Sequence, residues 1–290
     1  MARSYISPLQ TLLQKTVHMP ELPEVETTRR GILPHVCHHR IEQVIVRESR
    51  LRWPVPPELP AMLEGQMINN VQRRARYLLL PTGNGTLIIH LGMSGCLRIL
   101  PVNAPVMKHD HIDLLLETGS LLRLTDPRRF GAMLWTREAI QAHPLVRKLG
   151  PEPLSPLFTG KTLYQQSRNR KQVIKTFIMD NHIVAGIGNI YANEVLFMAG
   201  IRPDCPAGQI SLARYQQLEL AVRDTLGRAI AQGGTTLRDF VGSDGKPGYF
   251  RVELAMYGRA GEPCTACGTV IQKIRLGNRS TCFCPQCQRC

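Results

Sequence analysis

Residues 264–287 read Cys264-Thr-Ala-Cys267-Gly-Thr-Val-Ile-Gln-Lys-Ile-Arg-Leu-Gly-Asn-Arg-Ser-Thr-Cys282-Phe-Cys284-Pro-Gln-Cys287. Two C-x2-C pairs are joined by a short, polar, strand-forming stretch that is too small to bury a core of its own. Four thiolates at this spacing suit a tetrahedral structural zinc, with Cys264, Cys267, Cys284 and Cys287 as ligands on two hairpin knuckles. Cys287-x2-Cys290 is a second C-x2-C pair, and Cys282 is a neighbouring thiol. The final residue of a chain is expected to fray, which favours Cys284 and Cys287 over Cys290. Lys273, Arg275 and Arg279 make the ribbon basic, so it is suited to presenting cations to phosphate. Of nine cysteines, an odd number, six lie in the last 27 residues. A metal site in a reducing compartment is therefore expected rather than a disulfide framework.

Upstream of the ribbon the pattern is helical. SLARYQQLELAVRDTLGRAIAQGG reads as an amphipathic helix ending at Gly233-Gly234. KQVIKTFIMDNHIVAGIGNIYANEVLFMAG reads as two helical stretches around the turn Ala185-Gly-Ile-Gly-Asn189. That turn is either a plain connector or a helix-turn-helix whose amides and following helix start, with Asn189, grip a phosphate. Arg170 and Lys175 lie just before it. The prolines of LGPEPLSPLF mark a linker over 151–160, separating a helical domain at 161–248 from what precedes it, and the zinc ribbon occupies 249–290.

Residues 19–150 are dominated by β signal. RIEQVIVRESRLRW, ARYLLLP, GTLIIHLGMSGCLRIL and HIDLLLETGSLLRLTDP are alternating or apolar runs broken by turn residues, with a hairpin loop at Glu117–Ser120. One helix, from Glu24 to about Val36, precedes them behind Pro23. Asp126-Pro-Arg-Arg-Phe130 reads as a loop tip, either a solvated basic loop or a wedge for a base stack. Met93, judged alone, reads as core, and His109 as a satisfied polar residue.

Lysine and arginine exceed acids by 36 − 22 = 14 charges, the balance of a protein that meets a polyanion, with nucleic acid ahead of an anionic membrane. No apolar run approaches the roughly 18 residues of a membrane-spanning helix. A cytoplasmic protein is expected, without a membrane partner.

Taken in order, PELPEVETTRRG, QRRARYLLL, HLGMSG, KHDHIDL, TDPRRFG, LGPEPL, MDNHIVAGIGNIYANE, QGGTTLRDF, SDGKPGYF and the four-cysteine finger resemble the bacterial formamidopyrimidine-DNA glycosylases across nearly all of 19–290. The resemblance implies an α+β protein: an N-terminal β-sandwich with flanking helices, a helix–two-turn–helix domain and a C-terminal zinc ribbon, with DNA in the cleft between them. It implies a monomeric, nucleoid-associated base-excision repair enzyme that acts on duplex DNA containing oxidised purines or abasic sites. Base release would be followed by β,δ-elimination. The related endonuclease VIII branch, which takes oxidised pyrimidines, is the nearest alternative. The start Pro-Glu-Leu-Pro-Glu and the set Met93, Arg128 and Phe130 favour the purine branch.

The same resemblance assigns roles. Pro20, freed of Met19, is the nucleophile that attacks C1′ and forms an iminium, and Glu21 protonates the deoxyribose ring oxygen. A free α-amine titrates near roughly 8 and retains a usable lone pair at neutral pH. Met93, Arg128 and Phe130 fill the void of the flipped nucleotide, Arg128 facing the orphaned base. His109, Arg170, Asn189 and Arg279 contact the kinked backbone, and Arg279 also serves δ-elimination. Glu194 lines the lesion pocket, and residues 235–249 form a base-sensing loop. Arg76 stands where the family has lysine. With a pKa above about 12 it is a poor proton donor, which weakens the β-elimination role at that position. Residues 1–18 would convert the Pro20 nitrogen to an amide. They are expected to be absent from the active protein; a chain that keeps them would be a non-catalytic binder of damaged DNA.

Overall fold

The computed structural model describes residues 20–233 and 254–290. The extension 1–18, Met19 and the expected base-sensing loop at 235–249 lie outside the described residues.

Helix α1 (Leu22–Val36) starts at a reciprocal cap. The Glu21 backbone N–H donates to Glu24 Oε2 at 3.0 Å, and Pro23 occupies the first turn, where no donor is needed. From its buried face Val25, Ile32 and Val36 join the first core, and Leu22 meets the turn at Gly186.

That core lies in a sandwich of two four-stranded antiparallel sheets. One has the order β1 (Ile41–Val46), β6 (Asp110–Leu116), β7 (Ser120–Thr125), β5 (Cys96–Pro101). The other runs β2 (Gln72–Arg74), β3 (Tyr77–Pro81), β4 (Thr86–His90), β8 (Ala132–Thr136), and the short α2 (Leu59–Leu63) packs against β1 and β8. Leu78, Leu80, Leu87 and Ile89 from one sheet meet Ile112, Leu114, Leu122 and Leu124 from the other, all essentially inaccessible. Each such side chain contributes roughly 1.5–3 kcal/mol by burial. Gly119 (φ +76°) turns the β6–β7 hairpin at the expected loop.

β6 and β7 also bury charge. Arg123 donates through Nε and Nη2 to the two oxygens of Asp113 at 2.7 and 2.8 Å, and through Nη1 to Asp110 at 3.2 Å. Removing one partner of such a buried pair costs about 3–5 kcal/mol, because the other charge is left uncompensated.

Between β8 and Gly160 the chain forms neither helix nor strand, so the expected linker lies within an irregular segment. Its Glu152 carboxylate binds the guanidinium groups of Arg73 and Arg74 at 2.7 and 2.8 Å and the Ala75 amide at 2.6 Å. The second core follows from α3 (Gly160–Ser167), α4 (Ile174–Ile178), α5 (Asn189–Met198) and α6 (Leu212–Ala231). Thr159 and Ser211 cap α3 and α6 with their hydroxyls. Phe177, Tyr191 and Tyr215 fill its centre. The first of the two helical stretches expected in 171–200 is shorter than its apolar pattern suggests: α4 has five residues. At its start the Ile174 and Lys175 amides donate to Cys205 O and Pro203 O, and beyond Met179 the chain turns at 181–183.

The ribbon is a hairpin of β9 (Gln272–Leu276) and β10 (Arg279–Phe283), closed by Gly277 and Asn278, both at positive φ. A two-residue turn of this kind matches the strand twist and leaves Arg279 as the first residue after the tip. Among the described residues a single disulfide joins Cys205 and Cys290, beside the four-cysteine cluster. The expected fraying of the chain end is corrected: the Arg289 N–H donates to Gly200 O at 3.0 Å, and Arg289 O accepts from Arg202 N at 3.1 Å.

Candidate active site and nucleic-acid interface

Glu21 follows Pro20 directly and is almost fully buried. Its carboxylate accepts from the amides of Gly188 at 2.7 Å, Ile190 at 2.8 Å and Tyr191 at 3.3 Å, the N-terminus of α5. The glycine-rich turn makes this approach possible. Gly186 sits at φ +85°, and a Cβ on Gly188 would lie 2.3 Å from Glu21 Cδ and 2.5 Å from Arg76 Nη2. Burial raises the Glu21 pKa to about 7, against the opposing pull of Arg76 and the α5 amides. A carboxyl that can be protonated or ionised near neutrality is suited to proton transfer. Arg76 reaches the same turn, with Nε donating to Gly186 O at 3.4 Å.

Beside this centre is a cleft of about 600 Å³ lined by Arg52, Trp53, Arg76, Tyr77, His90, Met93, Arg129, Phe130 and Arg279, among others. The volume suits a single extruded nucleotide or similar ligand. Its four arginines give it a positive charge suited to an anionic ligand such as phosphate. The structure thus brings Arg76, Met93, Phe130 and Arg279 together across the sandwich and the ribbon.

Asp126 sets the shape of one wall. Its buried carboxylate accepts from Ser94 Oγ at 2.5 Å, Arg128 N at 3.3 Å and Gly131 N at 2.7 Å, tying the Met93 turn to the 126–131 loop. Arg129 in that loop has φ +57°, and its guanidinium is held by Glu48 at 3.1 Å. Arg128 and Phe130 are exposed, the guanidinium 5.0 Å from the ring centroid, so the loop presents a cation and an aromatic ring to the outside.

Sequence reasoning missed Arg52, Trp53, Tyr77 and His90. Gly92 N donates to His90 Nδ1 at 3.0 Å, and burial depresses the His90 pKa to about 4, so the ring is neutral with its proton on Nε2. His90 opens the quoted HLGMSG stretch, and its position on a strand beside that turn was the available clue. His109 lies partly buried in the turn before β6, with its carbonyl accepting from Asp126 N at 3.0 Å. Arg170 is exposed, with Nε bound to Gln166 O at 2.7 Å. Neither lines the cleft, nor does Asn189, which opens α5.

Two assignments need correction. Lys175 is fully buried, so it is not a surface contact for DNA. Its Nζ donates to Asn189 Oδ1 at 2.7 Å, Ser280 O at 3.0 Å and Thr281 Oγ1 at 2.7 Å, fastening α5 and β10 beside Arg279. Burial lowers its pKa to about 8. Glu194 does not line the cleft either. Its carboxylate accepts from the amides of Ala255, Met256 and Tyr257 at 2.7–3.0 Å and so anchors the start of the ribbon.

The sulfurs of Cys264, Cys267, Cys284 and Cys287 all lie within 4.8 Å of one another. Cys267–Cys284 is 3.5 Å and Cys264–Cys287 is 4.0 Å. Metal–sulfur bonds of about 2.3 Å in a tetrahedron require sulfurs roughly 3.8 Å apart, so the cluster fits one metal ion.

Three family models match the chain: the formamidopyrimidine-DNA glycosylase N-terminal domain over residues 19–133, the H2TH domain of the same glycosylase over 149–241, and a zinc finger found in FPG and IleRS over 261–289. A formamidopyrimidine-DNA glycosylase of Hahella chejuensis is 59% identical over 271 residues, which cover 93% of this chain and 100% of the relative. The chain belongs to the formamidopyrimidine-DNA glycosylase family. It is therefore a DNA-repair glycosylase, built as the α+β architecture of sandwich, helical domain and finger that its motifs implied. Among solved structures, a Lactococcus lactis FPG mutant bound to Fapy-dG containing DNA superposes with a TM-score of 0.85 at 34% identity. The Lactococcus lactis Fpg with abasic-site DNA gives 0.84, also at 34%; each match covers 93% of this chain and 100% of the other. Among the described residues, no helix is long and apolar enough to cross a membrane.

Proposed function

We propose that this glycosylase removes oxidised purines, 8-oxoguanine and formamidopyrimidines, from duplex DNA in the cytoplasm, and then cleaves the strand as an AP lyase. The observation that carries the reading is the buried Glu21 carboxyl, held by the α5 amides next to Pro20 and tuned to about 7. In this reading the Pro20 nitrogen, a secondary amine in a chain that starts there, attacks C1′. The C1′–base bond breaks, the electron pair leaves with the base, and the base is released protonated, its proton balancing the one the proline amine loses. Glu21, entering protonated, gives its proton to the ring oxygen as the sugar opens, and the proline and C1′ form an iminium. Glu21, now ionised, is a base for later proton transfers.

Extruding the nucleotide costs a few kcal/mol, offset by side chains that fill the vacated stack. Met93, Arg128 and Phe130 take that role, the last two from the loop fixed by Asp126. Arg76 and Arg279 hold the phosphates flanking the lesion, and His109, Arg170 and Asn189 extend the backbone contact. The four thiolates hold one zinc, which folds the ribbon and fixes Arg279 without touching substrate.

In this reading the active chain begins at Pro20, with 1–18 removed or untranslated, because a preceding residue would make the proline nitrogen an amide. Competition between duplexes carrying 8-oxoguanine opposite cytosine and thymine glycol tests the substrate class. Faster excision of 8-oxoguanine is expected; preference for thymine glycol would move the chain to the oxidised-pyrimidine class.

A further inference from the structure

Cys205 and Cys290 take no part in the site described so far. Cys205 is buried in the helical core, in a turn where its N–H donates to Arg202 O at 3.2 Å and its carbonyl accepts from Ile174 N at 2.7 Å, at the start of α4. Cys290 is exposed at the chain end, three residues beyond the metal thiol Cys287. Their Cα atoms are 5.4 Å apart, within the range a disulfide spans, and 85 residues separate them in sequence. The two are brought together by the tail. Residues 288–290 run beside Gly200–Arg202, with Ile201 and Arg289 paired in parallel and Arg214 Nη2 donating to Arg289 O at 2.7 Å. Gln288 joins the tail to the metal knuckle: its Oε1 accepts from Cys284 N and its Nε2 donates to Ile201 O, both at 2.9 Å. With the pair reduced, no covalent bond holds this tail to the helical domain, and the hydrogen bonds of Gln288 and Arg289 keep it there. With it oxidised, the last knuckle is covalently tied to the segment that docks α4.

We propose that Cys205 and Cys290 are a thiol-oxidation site for hydroperoxides, whose disulfide clasps the zinc ribbon to the helical domain and keeps the metal in place under oxidising conditions. The exposed Cys290 thiolate attacks the peroxide, giving the sulfenic acid and releasing hydroxide. The Cys205 thiol then displaces that oxygen as water and forms the S–S bond, so one peroxide is reduced and two thiols are oxidised. An exposed attacking thiol beside a buried resolving thiol is the arrangement this chemistry needs. Zinc leaves a ribbon only when its knuckles separate, and a tether three residues from Cys287 favours their reclosure. In a reducing compartment thiol exchange reopens the clasp, so it acts when oxidant is present.

The test uses reduced, zinc-loaded full chain treated with one equivalent of hydrogen peroxide, with the C290S and C205S variants alongside. Peptide mapping without reductant should show the peptides of Cys205 and Cys290 joined, lighter by two hydrogens than the separate pair, while the four metal thiols stay unmodified. Zinc release to a chromogenic chelator should then be slower than from reduced protein by roughly tenfold or more, because the tied knuckle recloses before the metal is lost. C290S, a surface change, should release zinc at the reduced rate before and after peroxide while keeping a full zinc complement in reducing buffer. Linkage of Cys290 to Cys287, a Cys205 that stays a free thiol, or equal release rates with and without the disulfide would each overturn the proposal. None of these readouts depends on the substrate of the glycosylase.

Discussion

At Glu21 two opposing effects meet. Burial penalises its charge, while three amides at the start of α5 and the Arg76 guanidinium favour it, and burial wins, leaving the pKa at about 7. The folded protein therefore binds this proton more tightly than the unfolded chain does. The group's contribution favours folding at low pH, and stability is lost as pH rises from about 4.5 through about 7. Because base release uses protonated Glu21 together with the unprotonated Pro20 amine, which titrates near roughly 8, excision by the unmodified enzyme should pass through a maximum between about 7 and 8 and fall at higher pH. Glu21→Gln should lower single-turnover excision by roughly 10²–10⁴, remove the fall at high pH while keeping the rise set by the amine, and flatten the stability profile between about 4.5 and 7. A fall at high pH that persists in the variant would assign that titration to another group. PELPEVE showed in the sequence which residue this was, but not its pKa. The amides that surround it come from residues 188–191, distant in sequence, and their approach is a tertiary event. The same distance explains the misreading of Lys175 and Glu194. Both occupy a basic or lesion-facing motif, and both are enclosed by ribbon segments some sixty to a hundred residues later.

The turn between α4 and α5 acts as an element rather than as a set of residues. Gly186 supplies a left-handed bend, and Gly188 lets Glu21 and Arg76 approach the α5 amides where no side chain fits. Gly188→Ala should displace the carboxylate by about an ångström and reduce excision by roughly a hundredfold, with smaller effects on DNA affinity. Unchanged excision in a folded variant would show that this packing does not position Glu21. The elements most legible in the sequence were those with strong local patterns: α6 ending at its glycine, the β6–β7 hairpin, and α1 behind Pro23. α4 was legible in kind but not in length, since its boundaries are set by contacts to the turn at 203–205.

Across the whole molecule, the cleft is assembled from the sandwich, which gives Arg76, Met93 and Phe130, and the ribbon, which gives Arg279. Lys175 and Glu194 join the helical domain to that ribbon, so loss of metal should be felt at the cleft. Fresh protein should hold about one zinc per chain, and chelation should weaken DNA binding while leaving the N-terminal residue intact. Cys284→Ser should lower the zinc content. Full zinc in that variant would refute the four-cysteine set. The finger could be read from cysteine spacing alone because metal ligation is a local constraint. The Cys205–Cys290 disulfide could not, because only folding brings the chain end to the 200–205 turn.

The proposed mechanism rests on Pro20, as a free terminal amine, being the nucleophile. Borohydride trapping on abasic-site DNA, followed by mass mapping of the adduct, should be run on chains expressed from Met19 and from Met1, with both N-termini verified. A covalent adduct on Pro20 is expected in the chain that begins there, and none in a chain that keeps residues 1–18. Equal trapping by the verified extended chain, or an adduct mapped to any other residue, would rule Pro20 out as the nucleophile.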